Sequence, residues 1–237
     1  MKFHNQLLSE VESVIQEKVS FNLVGTNDLM NAEIAQEFGT RLRLFHYLTD
    51  QPLTKKAFEF QLCKTLINND IQCAMPENNT LPGADLILGA AEQKLSLKTE
   101  GAKSTSRKKI TISKLMEARW FRDCTNDTEL MSAIQQRMVP HLQSYDRMLT
   151  LRSFPSKSGT CIYYQLVEIP LELIRCCSKK DRLHFSSRSR GGSVTVTVAT
   201  LSEQTFQLVF DASVEKVTVK NLEVGDCHEL ANWTISI

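Results

Sequence analysis

The 237-residue chain has seven cysteines but no Cys-x-x-Cys pair, and its five histidines never fall at metal-ligand spacing, which leaves no zinc signature. The odd cysteine count argues against a secreted disulfide framework and points to reduced thiols in a cytoplasmic protein. Neither G-x-x-x-x-G-K-[ST] nor G-x-G-x-x-G occurs, so nucleoside-triphosphate and dinucleotide binding lack a motif. A cationic-then-apolar leader and a bilayer-length apolar run are also missing, and the expectation is a soluble protein without membrane contact. Internal repeats and long low-complexity segments are absent. Net charge is scarce as well: 28 basic residues nearly cancel 27 acidic ones.

The distribution of charge is uneven. Residues 94–122 hold nine basic side chains (Lys94, Lys98, Lys103, Arg107, Lys108, Lys109, Lys114, Arg119 and Arg122) against Glu100 and Glu117. Such a local excess attracts a polyanion. Ser104, Thr105 and Ser106 join Lys103, Arg107, Lys108 and Lys109 as candidates for phosphate contacts, which position a duplex without reading it. Lys114, Arg119 and Arg122 follow the loop, and Arg188 and Arg190 lie in a second flexible basic stretch, SSRSRGGS. Arg119, Arg122 and the 188–192 loop are candidates for base-edge contacts.

Apolar periodicity predicts a helix over residues 6–18, and a second from a cap at Asn27 or Asp28 to Phe38, stopped by Gly39. Thr54 announces a helix in which Phe58, Leu62 and Leu66 form a stripe, with Glu59 beside it. Strands are expected at 86–88 and 94–99. A helix capped by Ser113 should carry Glu117, and the box Asn126-Asp127-Thr128-Glu129 should start another that ends before Pro140. Another strand is expected at 161–169. Alternating valines from 194 begin a mostly β stretch to the end. We divide the chain into an N-terminal helical region (1–54), a core (55–185) and a β-rich C-terminal extension or subdomain (186–237), with a single domain as the alternative.

Within the core, Asp85 opens one strand and Lys98 lies on the next, where Ser96 and Lys98 face opposite to Leu95 and Leu97. A carboxylate oxygen is a hard ligand suited to Mg²⁺, and a neighbouring lysine can orient or deprotonate water or stabilise phosphate charge. A second acid is needed. Glu117 ranks first, with Glu59 and Glu100 behind it.

Taken together, these residues resemble the PD-(D/E)XK nuclease superfamily, and most of all its type II restriction endonucleases. Gly83-Ala84-Asp85 stands where Pro-Asp is expected, with Pro82 displaced by two positions, and Ser96-Leu97-Lys98 stands at the D/E-x-K triplet without its acid. One branch of restriction enzymes has Ser-x-Lys and carries the second metal-binding glutamate on the following helix, where Glu117 is similar in placement. Glu59 resembles that branch's auxiliary glutamate on an N-terminal helix. The resemblance implies an α/β fold with a mixed central sheet flanked by helices and built on an αβββαβ core. It also implies catalytic Asp85, Lys98, Glu117, Ser96 and Glu59, with Mg²⁺ on Asp85, Glu117 and Glu59. The implied protein is a bacterial, cytoplasmic homodimer that cuts double-stranded DNA at a short palindromic site. The alternatives are a repair or recombination nuclease of the same superfamily, a DNA-binding protein without catalysis, and an interaction module built on the β-rich end.

Overall fold

Apolar residues at helical spacing in the first third, and at alternate positions thereafter, partition the computed structural model into helical and sheet layers. It describes residues 2–16, 19–76, 83–102, 104–189 and 191–236. Lys103, Arg190 and Pro82 lie outside the described residues.

In chain order the elements are α1 (Lys2–Gln16), β1 (Ser20–Leu23), α2 (Ala32–Leu48), α3 (Lys55–Asn68), β2 (Cys73–Ala74), β3 (Leu86–Leu88), β4 (Gln93–Glu100) and β5 (Lys109–Glu117). There follow α4 (Asp127–Ala133), α5 (Val139–Gln143), β6 (Arg147–Pro155), β7 (Cys161–Ile169), α6 (Leu171–Arg175), β8 (Leu183–Phe185), β9 (Val194–Ala199), β10 (Thr205–Asp211), β11 (Lys216–Glu223) and β12 (His228–Ser236). Seven strands form the central sheet in the order β1-β12-β7-β6-β4-β3-β2, and five form a second sheet in the order β5-β11-β10-β9-β8. The β4–β6 pair is parallel and the other pairs of the central sheet are antiparallel, so this is the expected mixed sheet. The order α3-β3-β4-β5-α4-β6 is that of the αβββαβ core.

Two cores lie on opposite faces of the central sheet. Phe38 and Leu42 of α2 and Phe58, Leu62 and Leu66 of α3 pack on Leu95, Leu97, Leu149, Leu151 and Trp233. On the other face, Met148, Val167 and Ile169 meet Val196, Phe206, Leu208, Phe210 and Val219 of the second sheet, with Leu130, Ile134 and Leu142 of the α4–α5 region. The β-rich end is shared between the sheets. Strands β9 to β11 join β5, whereas β12 inserts between β1 and β7.

Three local expectations are corrected. The second helix starts later, with Asn31 capping the Ile34 N–H at 2.8 Å, and it runs straight through Gly39. A Cβ at Gly39 would stand 2.8 Å from Trp233 Cδ1 and 2.8 Å from Val19 Cγ1. The glycine therefore admits the buried indole, whose Nε1 donates to the Ala35 carbonyl at 2.8 Å, and does not stop the helix. Second, the helix begun by the 126–129 box does not end before Pro140, because a wide turn at Ile134–Met138 carries it into α5 with Pro140 in that segment's first turn. Third, Glu117 ends a strand and not a helix. Opposite β11, Val217 pairs with Met116 and Val219 with Ile112, so β5 carries two extra residues there. That bulge breaks the alternation of Lys109–Glu117 and gives its end a helical look.

His46 gives the fold a pH dependence. Its Nε2 accepts from the Tyr164 hydroxyl at 2.8 Å, that hydroxyl accepts the Leu53 N–H at 3.0 Å, and Nδ1 donates to the Thr49 carbonyl at 2.9 Å. Burial holds its pKa below the ordinary 6.5, against the opposing pull of the Thr49 carbonyl and Asp50. The unfolded chain then binds the proton more readily. Stability is lost as the pH falls below 6.5, and the loss is complete once the depressed value is passed. Thermal melts from pH 7.5 to 5 should show a falling Tm with a shallower slope in His46→Gln, and an identical slope would remove His46 from the account.

Candidate active site

The site forms where β3 stops. This strand is three residues long, pairs Leu86 with Leu95, and leaves the rest of that edge of β4 without a strand neighbour among the described residues. Asp85 closes the gap: its backbone N–H donates to the Leu95 carbonyl at 2.7 Å, and its Oδ2 accepts the Leu97 N–H at 2.6 Å. A side chain thus takes the hydrogen bond that another strand residue would have made. The aspartate is held in place by the backbone of the strand that carries Lys98.

Helix α3 delivers two further charges. The Thr54 hydroxyl caps it by accepting the Ala57 N–H at 3.3 Å, and Phe58, Leu62 and Leu66 seat it against β4. Lys55 and Glu59, one turn apart, then stand beside Asp85. The Lys55 ammonium lies 2.6 Å from Asp85 Oδ1 and 2.5 Å from Glu59 Oε1. Burial opposes the ammonium's charge, but hydrogen bonds to Asp85 and Glu59 outweigh it and raise its pKa. Glu59 is buried, at 7% exposure, which is tolerable for a carboxylate only with such a partner.

Ser96, Lys98 and Glu100 project to the other face of β4, beside Met148, Thr150 and Arg152 of the parallel strand β6. Ser96 is buried. Burial pushes the Lys98 ammonium down to about 8; Asp85 opposes this, Lys55 and Lys114 add to it, and Glu59 opposes it. A lysine in that range gives up or takes a proton near neutral pH. Glu100 is unsuited to a metal, because Arg152 Nε donates to its Oε2 at 2.7 Å and the Thr111 N–H to its Oε1 at 3.0 Å.

Arg152 is fully buried and also reaches Gln165 Oε1 at 2.9 Å, the Lys109 carbonyl at 2.8 Å and the Ser106 carbonyl. It ties down the basic loop between β4 and β5. In that loop the Arg107 guanidinium lies over the Phe154 and Tyr163 rings, at 4.8 and 4.9 Å, and Lys108 is exposed. The other basic candidates have intramolecular partners: Lys109 with Glu223 at 3.4 Å, Lys114 with Glu117 at 2.9 Å, and Arg119 and Arg122 with Glu215 at 3.1 and 2.7 Å. Arg188 donates to the Cys124 carbonyl and covers the Phe121 ring.

Glu117 stands apart from Asp85 and Glu59. It is exposed at the end of β5, with its carboxylate on Lys114, which lowers its pKa. The structure brings Asp85 to Glu59 through a residue that sequence reading passed over, Lys55. Its only sequence signal is the i,i+4 spacing from Glu59, an ordinary helical ion pair. Buried polar atoms near Lys98 were missed as well. His141 Nε2, Tyr145 Oη and Thr150 Oγ1 have no hydrogen-bond partner among the described residues. Lys98 and Asp85 both act on the His141 ring electrostatically.

Among the described residues no three His, Cys, Asp or Glu side chains converge as a metal-binding group. Two carboxylates already drawn to one cation nonetheless fit Mg²⁺, which keeps several waters and takes one or two carboxylates plus substrate phosphate. A mixed sheet with an aspartate at one strand's start and a lysine on its neighbour is the frame of the PD-(D/E)XK class of nucleases, whose members typically depend on Mg²⁺. The family described as SmaI, type II site-specific deoxyribonuclease, matches residues 15–235. The type II restriction enzyme SmaI of Serratia marcescens is 32% identical over 215 residues, which are 88% of this chain and 82% of that enzyme. The chain belongs to the SmaI family of type II restriction endonucleases. No solved structure matches it significantly. No helix among the described residues is long and apolar enough to cross a membrane.

Proposed function

We propose that the chain cuts both strands of a short palindromic DNA duplex by Mg²⁺-dependent phosphodiester hydrolysis, as a homodimer with one site on each strand. The observation that carries this reading is the convergence of Asp85 and Glu59 on a single cation beside the lysine-bearing strand. Asp85 and Glu59 hold Mg²⁺, and Glu117, ranked first on sequence, takes second place because its carboxylate is spent on Lys114. When bound there, Mg²⁺ supplies Lewis-acid stabilisation of the phosphate and acidifies water.

The protein's own side chains do the remainder. The Asp85 carboxylate, fixed by the Leu97 N–H, sets where the scissile phosphate sits relative to β4. Lys98 orients the attacking water and stabilises negative charge gathering on the phosphoryl oxygens. Ser96 stands in the position of the missing acid, and Glu100, the carboxylate that shares the strand face of Lys98, is taken up by Arg152 and the Thr111 N–H. Arg107 and Lys108 of the clamped loop contact backbone phosphates, as does Lys103. Arg119, Arg122, Arg188 and Arg190 reach base edges, the first three exchanging their internal partners for DNA.

Family membership sets aside the reading without catalysis. The test is digestion of long, unmethylated DNA with Mg²⁺ or with EDTA, together with sedimentation of the protein on a duplex of the deduced site. Discrete fragments that vanish with EDTA, and two chains per duplex, are expected. Smeared degradation, or one chain cutting both strands, would overturn the proposal.

A further inference from the structure

We propose that Lys55 is the resident counter-cation of the site: it holds Asp85 and Glu59 together in the metal-free protein and is displaced when the divalent ion enters. The inference rests on the reading that these two carboxylates bind the metal. Two carboxylates facing one another repel, and burying the charge of Glu59 is costly unless a positive charge pairs with it. Lys55 supplies that charge from the first position of α3, where the Thr54 cap fixes the helix and a flexible four-carbon stem carries the ammonium to both acids, 2.6 and 2.5 Å away.

The geometry makes the ammonium a competitor as well as a support. It contacts one oxygen of each carboxylate that the metal would use, while Asp85 Oδ2 stays on the Leu97 N–H. The Lys55 side chain is 41% exposed, so it can swing out without unpacking α3. Lys56 is a weak substitute, since its ammonium reaches Glu59 Oε2 only at 4.0 Å. With Lys55 in place the local charge is one negative instead of two, which makes the metal-free site less hostile to a DNA phosphate. Lys55 is thus a positioning residue that acts through Asp85 and Glu59.

The experiment is titration of Mn²⁺ into the metal-free, DNA-free protein at pH 8, with free ion read by electron paramagnetic resonance, for the native chain, Lys55→Met, Lys55→Gln, Lys55→Arg and Asp85→Asn. Removal of the competing charge should tighten Mn²⁺ binding about five- to tenfold in Lys55→Met and Lys55→Gln. Lys55→Arg should stay within about twofold of native, since the charge is kept. Asp85→Asn should abolish the site. In EDTA, Lys55→Met should bind a cognate duplex several-fold more weakly, with Ca²⁺ restoring it. Native-like or weaker Mn²⁺ affinity in both neutral variants, with Asp85→Asn still abolishing binding, would overturn the counter-cation role alone. Unchanged binding in Asp85→Asn would instead overturn the assignment of the metal site.

Discussion

Replacing Lys98 with methionine is expected to lower the cleavage rate by about three orders of magnitude or more, while DNA binding in Ca²⁺ stays within a few-fold of native. The lysine stem lies on β4 between the buried Ser96 and Glu100, and methionine has nearly the same shape, so the strand should not move. What disappears is the ammonium proposed to face the reacting phosphate. Positioning and charge stabilisation are most of what a phosphodiesterase supplies, so one aimed cation carries a large share of the barrier. The same ammonium is pushed down to about 8 by burial, and the fold therefore bears a penalty for keeping it charged. Lys98→Met should melt at the native temperature or above it. Loss of cleavage with an unchanged or raised Tm and intact binding would separate a chemical role from a structural one. Cleavage within tenfold of native would remove Lys98 from the mechanism.

The second large effect separates two glutamates. Glu59→Gln should lower cleavage at fixed Mg²⁺ by about a hundredfold and shift the Mg²⁺ dependence to higher concentration, whereas Glu117→Gln should remain within about threefold of native. Glutamine keeps the size and the polar atoms of Glu59 but withdraws one of the two negative charges that converge on the Lys55 ammonium. Glu117 is exposed at the end of a bulged strand and engages Lys114, a surface pair worth little to stability. The Mg²⁺ titration is the more telling measurement, because a general loss of structure would lower the plateau without moving the midpoint. The reverse pattern, with Glu117→Gln shifting the midpoint and Glu59→Gln leaving it alone, would restore Glu117 as the second acid.

Elements encoded by local pattern were legible in the chain itself. The stripe of Phe58, Leu62 and Leu66 with its Thr54 cap, the short strand after Asp85, the alternation around Leu95 and Leu97, and the capping box at Asn126 all exist as read. Each depends on neighbours within a turn or a few residues, and the resemblance that named the nuclease class rested on the same short stretches. The family assignment agrees with it.

Long-range packing decided the rest. Gly39 looks like a helix stop until Trp233, nearly two hundred residues away, is found to need the space. The segment around Glu117 looks helical because a two-residue bulge, imposed by pairing with β11, interrupts its period. The β-rich end divides between two sheets according to strand partners that no local periodicity reveals. Arg152, buried among carbonyls and Glu100, reads in sequence as one more basic residue. Sequence alone therefore placed Asp85, Ser96, Lys98 and Glu59 on or beside the short elements that carry them, since a segment's period is a local property. Only the tertiary structure decided that the carboxylate meeting Asp85 comes from α3 and that Lys55 bridges them. Convergence of charges from a helix and a strand edge is set by how the layers dock.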